Sequence, residues 1–442
     1  MAAKKNQKKR VAITTLGCKV NQFESASFLS VLEEKGAEVV PFSGVADVYI
    51  INTCAVTAKA GSQSRHVIRR ALRNNPNGRL VVTGCYAQVA AQDILEIVDQ
   101  PICIVGNNYK HLLADIALSD KHCDLEMYLG DTGRQDEICP LPVKRFAGRT
   151  RAYLKIQDGC NRFCSYCIVP YARGRSCSLA PEQVLEQVGV FITEGYKEMV
   201  VTGIHTGVYG HDLEPPTTLT DLIRLILAEN HPIRYRISSL EPAEINDELL
   251  ELMATSGNLM PHLHIPLQSG DDDILKRMNR RYPAATFADI VEQSVRLVPQ
   301  MAIGVDVLVG FPGEDEQAFQ NTYKLLERLP ITYLHVFPYS KRPGTLAANM
   351  SGQLPKQTKE ERVALLRELD HKKRVAFYSK HLGEVHLVLA EIGRKKKFRM
   401  MKGFTENYIP VYFEAPESVG NQIVKVRLDR LEGATVFGRL LA

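Results

Sequence analysis

The sequence contains no apolar run of the roughly 18 residues that a membrane span needs. Its start, MAAKKNQKKR, is basic but lacks the apolar stretch of a secretory signal. Both absences point to a cytoplasmic protein with no membrane attachment. In that compartment thiols stay reduced, so the ten cysteines read as free thiols or metal ligands rather than disulfides. Net charge is also scarce, at +5. Such a balance permits a polyanionic partner without requiring one. No short repeat is visible. A last absence is local. The stretch GCNRFCSYC, residues 159–167, holds Cys160, Cys164 and Cys167, and no fourth cysteine follows at a matching spacing. Tetrahedral ions and cubic iron–sulfur clusters usually take four protein ligands.

What is present begins with length. A chain of 442 residues exceeds one ordinary domain and can bury a substantial core. Residues 1–10 read as a basic tail. Residues 11–118 alternate apolar strands (VAITTLGC, DVYIINTC, RLVVTGC, ICIVG) with helical patterns over 22–35, 59–73, 86–98 and 108–118. That alternation predicts a parallel-sheet α/β domain. The pattern lapses over 119–150, which reads as a linker. It restarts at 151 with six strand candidates, at 153–157, 198–204, 234–240, 262–268, 302–311 and 332–340. Six units predict a partial (β/α) barrel. A charged amphipathic helix over 356–379 completes a unit spanning 151–379. Short strands and Gly turns over 380–442 predict a small closed β-barrel.

Ligands of parallel α/β sheets bind at the carboxyl ends of the strands. Cys18, Cys54 and Cys85 each close a strand candidate of the first domain. Any one alone reads as a buried core thiol. All three at one sheet edge read as a shared metal site. In the second domain the cysteine loop follows the first strand. Polar, Gly-rich loops (TGIHTG, SSLEP, PLQSG, GFPGE, PYSKRPGT) follow the other five. Turn chemistry alone accounts for the Gly and Pro, but not for three cysteines in one loop. Spacing of three then two lets a loop wrap a cubic cluster and ligate three irons. Zinc is the alternative, with Cys177 or His205 as a fourth ligand.

The CxxxCxxC loop after the first strand of a β/α domain resembles the radical S-adenosylmethionine enzymes. In that superfamily the cofactor's amino and carboxylate groups occupy the fourth iron. Three upstream cysteines and a C-terminal barrel similar to a TRAM domain narrow the resemblance to the methylthiotransferases, over nearly the full chain. GCKVNQFES, NTCAVTAKAGSQSR, VVTGCYAQ, GIHTGVYG and HVFPYSKRPGTLAA look like the branch that modifies N6-threonylcarbamoyladenosine at position 37 of tRNA. The isopentenyladenosine branch is the alternative substrate reading. A non-catalytic iron–sulfur RNA-binding protein is the alternative class. One departure stands out: related sequences tend to carry Arg-Ser-Arg where this chain has Arg175-Ser176-Cys177.

The resemblance implies two 4Fe–4S clusters. One, on Cys160, Cys164 and Cys167, cleaves S-adenosylmethionine to a 5′-deoxyadenosyl radical; the other, on Cys18, Cys54 and Cys85, holds sulfur for insertion. It also implies a flavodoxin- or ferredoxin-type reductant and a tRNA anticodon stem-loop as partner. The oligomeric state is not specified. Phe163 and Tyr166 sit between the cysteines and are candidates to pack on the cluster or on the cofactor's adenine. Ser239, Glu241, Gln268, Ser269 and Asp306 lie near barrel strand ends and are candidates for the cofactor's polar groups; each equally suits a cap or turn. His205 reads as a structural histidine. Lys276, Arg277, Arg280 and Arg281 form a basic group near the barrel mouth. Residues 394–399 (RKKKFR) with Lys402 form a basic run, and Phe404 and Tyr408 are candidates to stack on unpaired bases. Cys103, Cys123, Cys139 and Cys177 read as packing or incidental thiols.

Overall fold

The computed structural model describes residues 8–120, 123–134, 138–393 and 400–441. The basic run 394–399 and most of the basic tail lie outside the described residues. The three-part architecture expected from the sequence is observed. The first part is a six-stranded parallel sheet: β1 (Arg10–Thr15), β2 (Glu38–Val39), β3 (Val48–Thr53), β4 (Arg79–Gly84), β5 (Ile102–Val105) and β6 (Leu125–Tyr128), in the order β2-β1-β3-β4-β5-β6. β3 is buried at every position, as its unbroken VYIINT run requires of a central parallel strand. Helices Lys19–Glu34 and Ala58–Asn74 match the sequence expectation. The helix expected over 86–98 is two short ones, Cys85–Val89 and Ala91–Leu95, broken where Ala90 leaves helical geometry at φ −142°. The pattern over 108–118 opens as a 3-10 turn, Asn107–Leu112.

The stretch 119–150 is not an unstructured linker. It supplies β6 as an edge strand of only four residues, too short and too exposed to show an apolar pattern. It also supplies Phe146, whose ring packs between Phe23 (6.4 Å), Tyr153 (5.4 Å), Phe191 (5.7 Å) and Tyr196 (6.3 Å).

The second part contains β7 (Ala152–Lys155), a short antiparallel pair β8 (Gln157–Asp158) and β9 (Cys177–Ser178), then β10 (Glu198–Thr202), β11 (Arg234–Ile237), β12 (His262–Gln268), β13 (Ala302–Val309) and β14 (Tyr333–Pro338). Two three-stranded parallel sheets, β7-β10-β11 and β12-β13-β14, meet through the bridges Tyr235↔Leu259 and Ser239↔His264. The result is the six-strand partial barrel. The first two parts share their cores in both directions. Phe23 and Ala26 of helix Lys19–Glu34 enter the barrel core, and Ile168 and Ala172, just after the cysteine loop, enter the core of the first sheet. That exchange fixes the two cysteine groups relative to each other.

Helix Lys356–Lys380 leads to the third part: β15 (Val385–Ala390), β16 (Met401–Phe404), β17 (Pro410–Glu414), β18 (Ile423–Glu432) and β19 (Thr435–Leu440), closed as β15-β16-β17-β19-β18. This barrel is docked, and the docking claims the aromatics expected to meet RNA. Arg151 covers the Phe404 ring at 4.6 Å, while Arg236 covers Tyr408 at 4.7 Å. His262 lies 4.5 Å from Tyr408 on the barrel side. With their faces occupied by the neighbouring domain, Phe404 and Tyr408 are interface residues.

Beneath these rings, Glu198 binds Arg151 at 2.6 Å and Arg236 at 3.2 Å, all three buried. Burial pushes the Glu198 carboxyl up, but the two guanidiniums outweigh it and hold it at about 2. A folded-state value below the unfolded one gives stability that is complete above the unfolded value near 4.5 and is lost as pH falls toward 2. Glu198→Gln should therefore cost about 3 kcal/mol at pH 7, because it strands two buried cations. The deficit should shrink on acidification between pH 4.5 and 2. Thermal unfolding by circular dichroism across that range checks this; equal acid sensitivity in both proteins would count against it.

Candidate functional site

The first cysteine group assembles at one sheet edge. β1, β3 and β4 are adjacent and in register (Thr15↔Asn52, Thr53↔Gly84), so Cys18, Cys54 and Cys85 leave the sheet at one level. Each precedes a helix. Cys18 is the N-cap of Lys19–Glu34 and makes no side-chain capping bond, and Cys85 opens its own helix. The Cys18 loop turns against Cys54 through Gly17, at φ +100°, where a Cβ would stand 2.9 Å from the Cys54 sulfur. Burial pushes the Cys54 thiol up to about 12, and charge on Cys85 or Cys18 would push it further. Cys18 is exposed by surface area, yet burial raises its thiol too: it faces an open concavity. Three mutually repelling thiols resist ionisation unless a cation joins them.

Behind Cys85 lies a buried charge network. Arg173 donates from Nε to the Cys85 sulfur (3.2 Å), from Nη1 to Glu24 (2.9 Å) and Asp158 (2.9 Å), and from Nη2 to Asn21 (2.6 Å). Lys110 binds Glu24 at 2.6 Å, and Lys155 binds Asp158 at 2.6 Å. Three buried cations thus face two carboxylates. A Cys85 thiolate supplies the missing negative charge, which is the state a metal ligand requires.

The second group sits on the loop between β8 and helix Val169–Arg173. Gly159 (φ +70°) enters it so close to the Arg175 carbonyl that a Cβ would collide. Gln157 clamps the loop. Its Nε2 donates to the carbonyls of Asp158 (2.7 Å) and Gly159 (2.8 Å), and its Oε1 accepts from the Ile204 (2.9 Å) and His205 (2.8 Å) amides. Cys160 accepts from the Arg162 amide at 3.4 Å, and Cys164 from Arg280 Nη1 at 3.6 Å. Burial pushes Cys167 up to about 12, with charge on Cys164 and Cys160 adding to it. These three are neighbours as well.

Neither group fits a single ion as it stands. Zn–S bonds of about 2.3 Å place tetrahedral sulfurs about 3.8 Å apart. Among the described residues, the sets of ligand atoms lying within 4.8 Å of one another contain no cysteine trio. A cube needs the wider spacing. The fourth zinc ligands considered also fail. Cys177 is buried in β9, opposite Asp158. His205 has Nε2 2.5 Å from Glu244 and Nδ1 3.8 Å from Cys160. Burial pulls its pKa down, but these two partners outweigh it and raise it to about 9, so both nitrogens carry protons at neutral pH and offer no lone pair.

The other candidates divide. Tyr166 lies within the electrostatic reach of Cys164 and Cys167 and packs against Phe311 at 6.5 Å. Phe163, at φ +48°, is 46% exposed and meets Tyr171 edge-on at 5.9 Å, so the ring turns to the surface. Glu241 is bound by Arg280 at 2.7 Å. Ser239 meets His264 Nδ1 at 3.2 Å, His264 Nε2 meets Asp306 at 2.9 Å, and His335 Nδ1 meets the same oxygen at 3.3 Å. Gln268 ends β12 at φ +68°, next to a bulge. Ser269 is buried and accepts from the Asp271 amide (3.2 Å) beside Thr322 (3.4 Å), a turn role. Sequence reasoning missed Gln157, Arg173, His264 and His335. It grouped Arg280 with its solvent-facing neighbours; the structure buries the guanidinium against Glu241 and Cys164. A polar side chain pointing into a barrel has no periodic signature, although Arg173, six residues past the last loop cysteine, was within reach of inspection.

A CxxxCxxC loop at the first strand of a six-strand partial barrel defines a protein of the radical S-adenosylmethionine class, and residues 154–326 match the radical SAM superfamily. Residues 10–106 match an uncharacterized protein family, UPF0004. Among solved structures, the radical S-adenosylmethionine methyltransferase TsrM of Kitasatospora setae superposes at TM-score 0.56, covering 77% of this chain and 75% of that one at 14% identity, a likeness of fold. The threonylcarbamoyladenosine tRNA methylthiotransferase MtaB of Bacillus subtilis is 40% identical over 95% of this chain and 93% of its own. The protein of that name from Aquifex aeolicus is 39% identical over 94% and 99%. The tRNA-2-methylthio-N(6)-dimethylallyladenosine synthase of Staphylococcus aureus is 30% identical over 97% and 84%. The chain belongs to the MtaB-type family of radical S-adenosylmethionine methylthiotransferases.

Proposed function

We propose that this chain methylthiolates carbon 2 of N6-threonylcarbamoyladenosine at position 37 of tRNA, yielding 2-methylthio-N6-threonylcarbamoyladenosine. The observation that carries this is the 40% identity across 95% of the chain to a relative of that name, against 30% for the dimethylallyladenosine enzyme. We assign one 4Fe–4S cluster to Cys160, Cys164 and Cys167 and a second to Cys18, Cys54 and Cys85. S-adenosylmethionine is the cofactor, and a flavodoxin- or ferredoxin-type protein is the electron donor. Among the described residues no helix is long and apolar enough to cross a membrane, and we place the enzyme in the cytoplasm. We divide the chain into a cluster-bearing domain at 11–118, a connecting segment at 119–150, the radical domain at 151–379 and an RNA-binding β-barrel at 380–442.

Carbon 2 of adenine bears an unactivated C–H bond that no side-chain base removes at neutral pH. The clusters with their cofactor supply a radical able to break it and a sulfur to replace the hydrogen. The chain's own residues hold and orient. Arg280 ties Glu241 to the Cys164 side of the loop. Gln157 fixes the loop's entry, and the protonated His205, anchored on Glu244, sets a positive charge beside Cys160. Arg173 does the same for Cys85. Tyr166 and Phe311 close the apolar side against water. Between the two groups, the interior carries His264, Asp306 and His335.

The test is an anaerobic reaction of reconstituted protein, reductant and methyl-labelled S-adenosylmethionine with tRNA carrying either hypomodified base, read by nucleoside mass spectrometry. Label is expected in 2-methylthio-N6-threonylcarbamoyladenosine. Label in the isopentenyl counterpart alone would replace the substrate assignment.

A further inference from the structure

Lys19 is the one cation named here in the interior between the two cysteine groups that has no bonded partner. It follows Cys18 directly and begins helix Lys19–Glu34. Among the described residues its ammonium makes no hydrogen bond and no ion pair, although the charged groups acting on it are Arg236 and Asp306 of the barrel and Cys18. Cys54 and Cys85 do not act on it, so the ammonium reaches across toward the barrel rather than back over its own cysteine group. Its neighbours have other commitments. Asp306 is shared between His264 and His335, and Arg236 is bound to Glu198. The first cysteine group already has its cation in Arg173. The interior is open beside this point, with the His335 side chain 46% and Phe337 42% exposed. A partly desolvated cation without a partner is costly, and it marks the place of a missing anion.

We propose that Lys19 binds the free carboxylate of the substrate's threonyl group and so makes the enzyme selective for a charged N6 substituent. This rests on the reading of threonylcarbamoyladenosine as substrate. Two ring atoms, N1 and C6, separate carbon 2 from the substituted nitrogen. A base with carbon 2 held near the Cys18 group therefore carries its N6 substituent toward the residue next to Cys18. An isopentenyl group offers no charge, and binding it would cover Lys19 while leaving it unpaired. Sites built around a buried polar partner reject analogues that lack it.

The experiment uses anticodon stem-loops with N6-threonylcarbamoyladenosine, its threonyl methyl ester, or plain adenosine at position 37, and cluster-reconstituted full-length protein under anaerobic conditions. Affinities are read by fluorescence anisotropy, with iron content as the check on cluster assembly. Wild type should bind the free acid at least about tenfold more tightly than the ester, the scale of a charged hydrogen bond. Lys19→Met should lose that factor for the acid and bind ester and plain adenosine as wild type does. Lys19→Arg should keep most of the preference. Equal binding of acid and ester by wild type overturns the proposal without any variant. So does a Lys19→Met protein that weakens on all three RNAs alike, which would assign the lysine to the RNA backbone or to the cluster. A wild type that binds the acid no better than plain adenosine and also fails to methylthiolate it removes the substrate reading together with this one; methylthiolation without acid–ester discrimination removes only this one.

Discussion

Cys164→Ala is expected to bring 5′-deoxyadenosine release down by at least about 1,000-fold, effectively to background, because no other group in the chain can replace the radical route. Affinity for tRNA should stay within about twofold. The reason is local. Cys164 lies on a loop whose three thiols are mutual electrostatic neighbours, and its sulfur is the one that Arg280 contacts. Removing it leaves two ligands and a loop still held by Gln157 and Gly159, so the fold survives while iron is lost. Cys54→Ala is the paired measurement. It should also lose iron, yet retain cofactor cleavage and yield no methylthiolated nucleoside. Iron analysis, 5′-deoxyadenosine chromatography and nucleoside mass spectrometry on both variants separate the two groups. Normal cleavage by Cys164→Ala would remove that loop from the chemistry, and normal product from Cys54→Ala would remove the first domain from it.

Much of this site was legible because cysteine is scarce and strands carry a clear pattern. Cys18, Cys54 and Cys85 are separated by more than thirty residues each, yet a parallel sheet with its strands ending together was enough to gather them. The β/α alternation gave the six barrel strands for the same reason. What was hidden depends on three-dimensional partners. Phe404 and Tyr408 read as free stacking platforms, since no sequence feature announces that Arg151 and Arg236 will cover their faces. Leu125–Tyr128 is an edge strand of four residues, shorter than the window in which period two becomes visible. Ser269 looked like a ligand because it ends a barrel strand, and it is spent on the turn that follows. Arg280 was hidden among Lys276, Arg277 and Arg281, which share its charge but not its burial. Composition gives the number of cations and topology decides which become structural.

Arg173 shows the same point with the largest expected effect on stability. Its guanidinium joins the two domains: it comes from the helix after the radical-domain cysteines and reaches Glu24 and Asn21 in the first domain and Asp158 in its own. Arg173→Met should cost about 3–5 kcal/mol in the cluster-free protein, because two buried carboxylates keep only Lys110 and Lys155. Removing a cation and a sulfur hydrogen bond from Cys85 also favours the oxidised form of a cluster held there. The midpoint potential should therefore move to more negative values. Measured by spectroscopic titration in a Cys164→Ala background, only the first-domain cluster contributes to that signal. Arg173→Lys keeps the charge but cannot fork between Cys85, Glu24 and Asp158. It should recover part of the thermal stability and little of the potential. If instead both variants melted and titrated like their parent, the three-cation count behind Cys85 would not require a thiolate there, and the case for cysteine ligation in the first domain would fall back on the sheet edge alone.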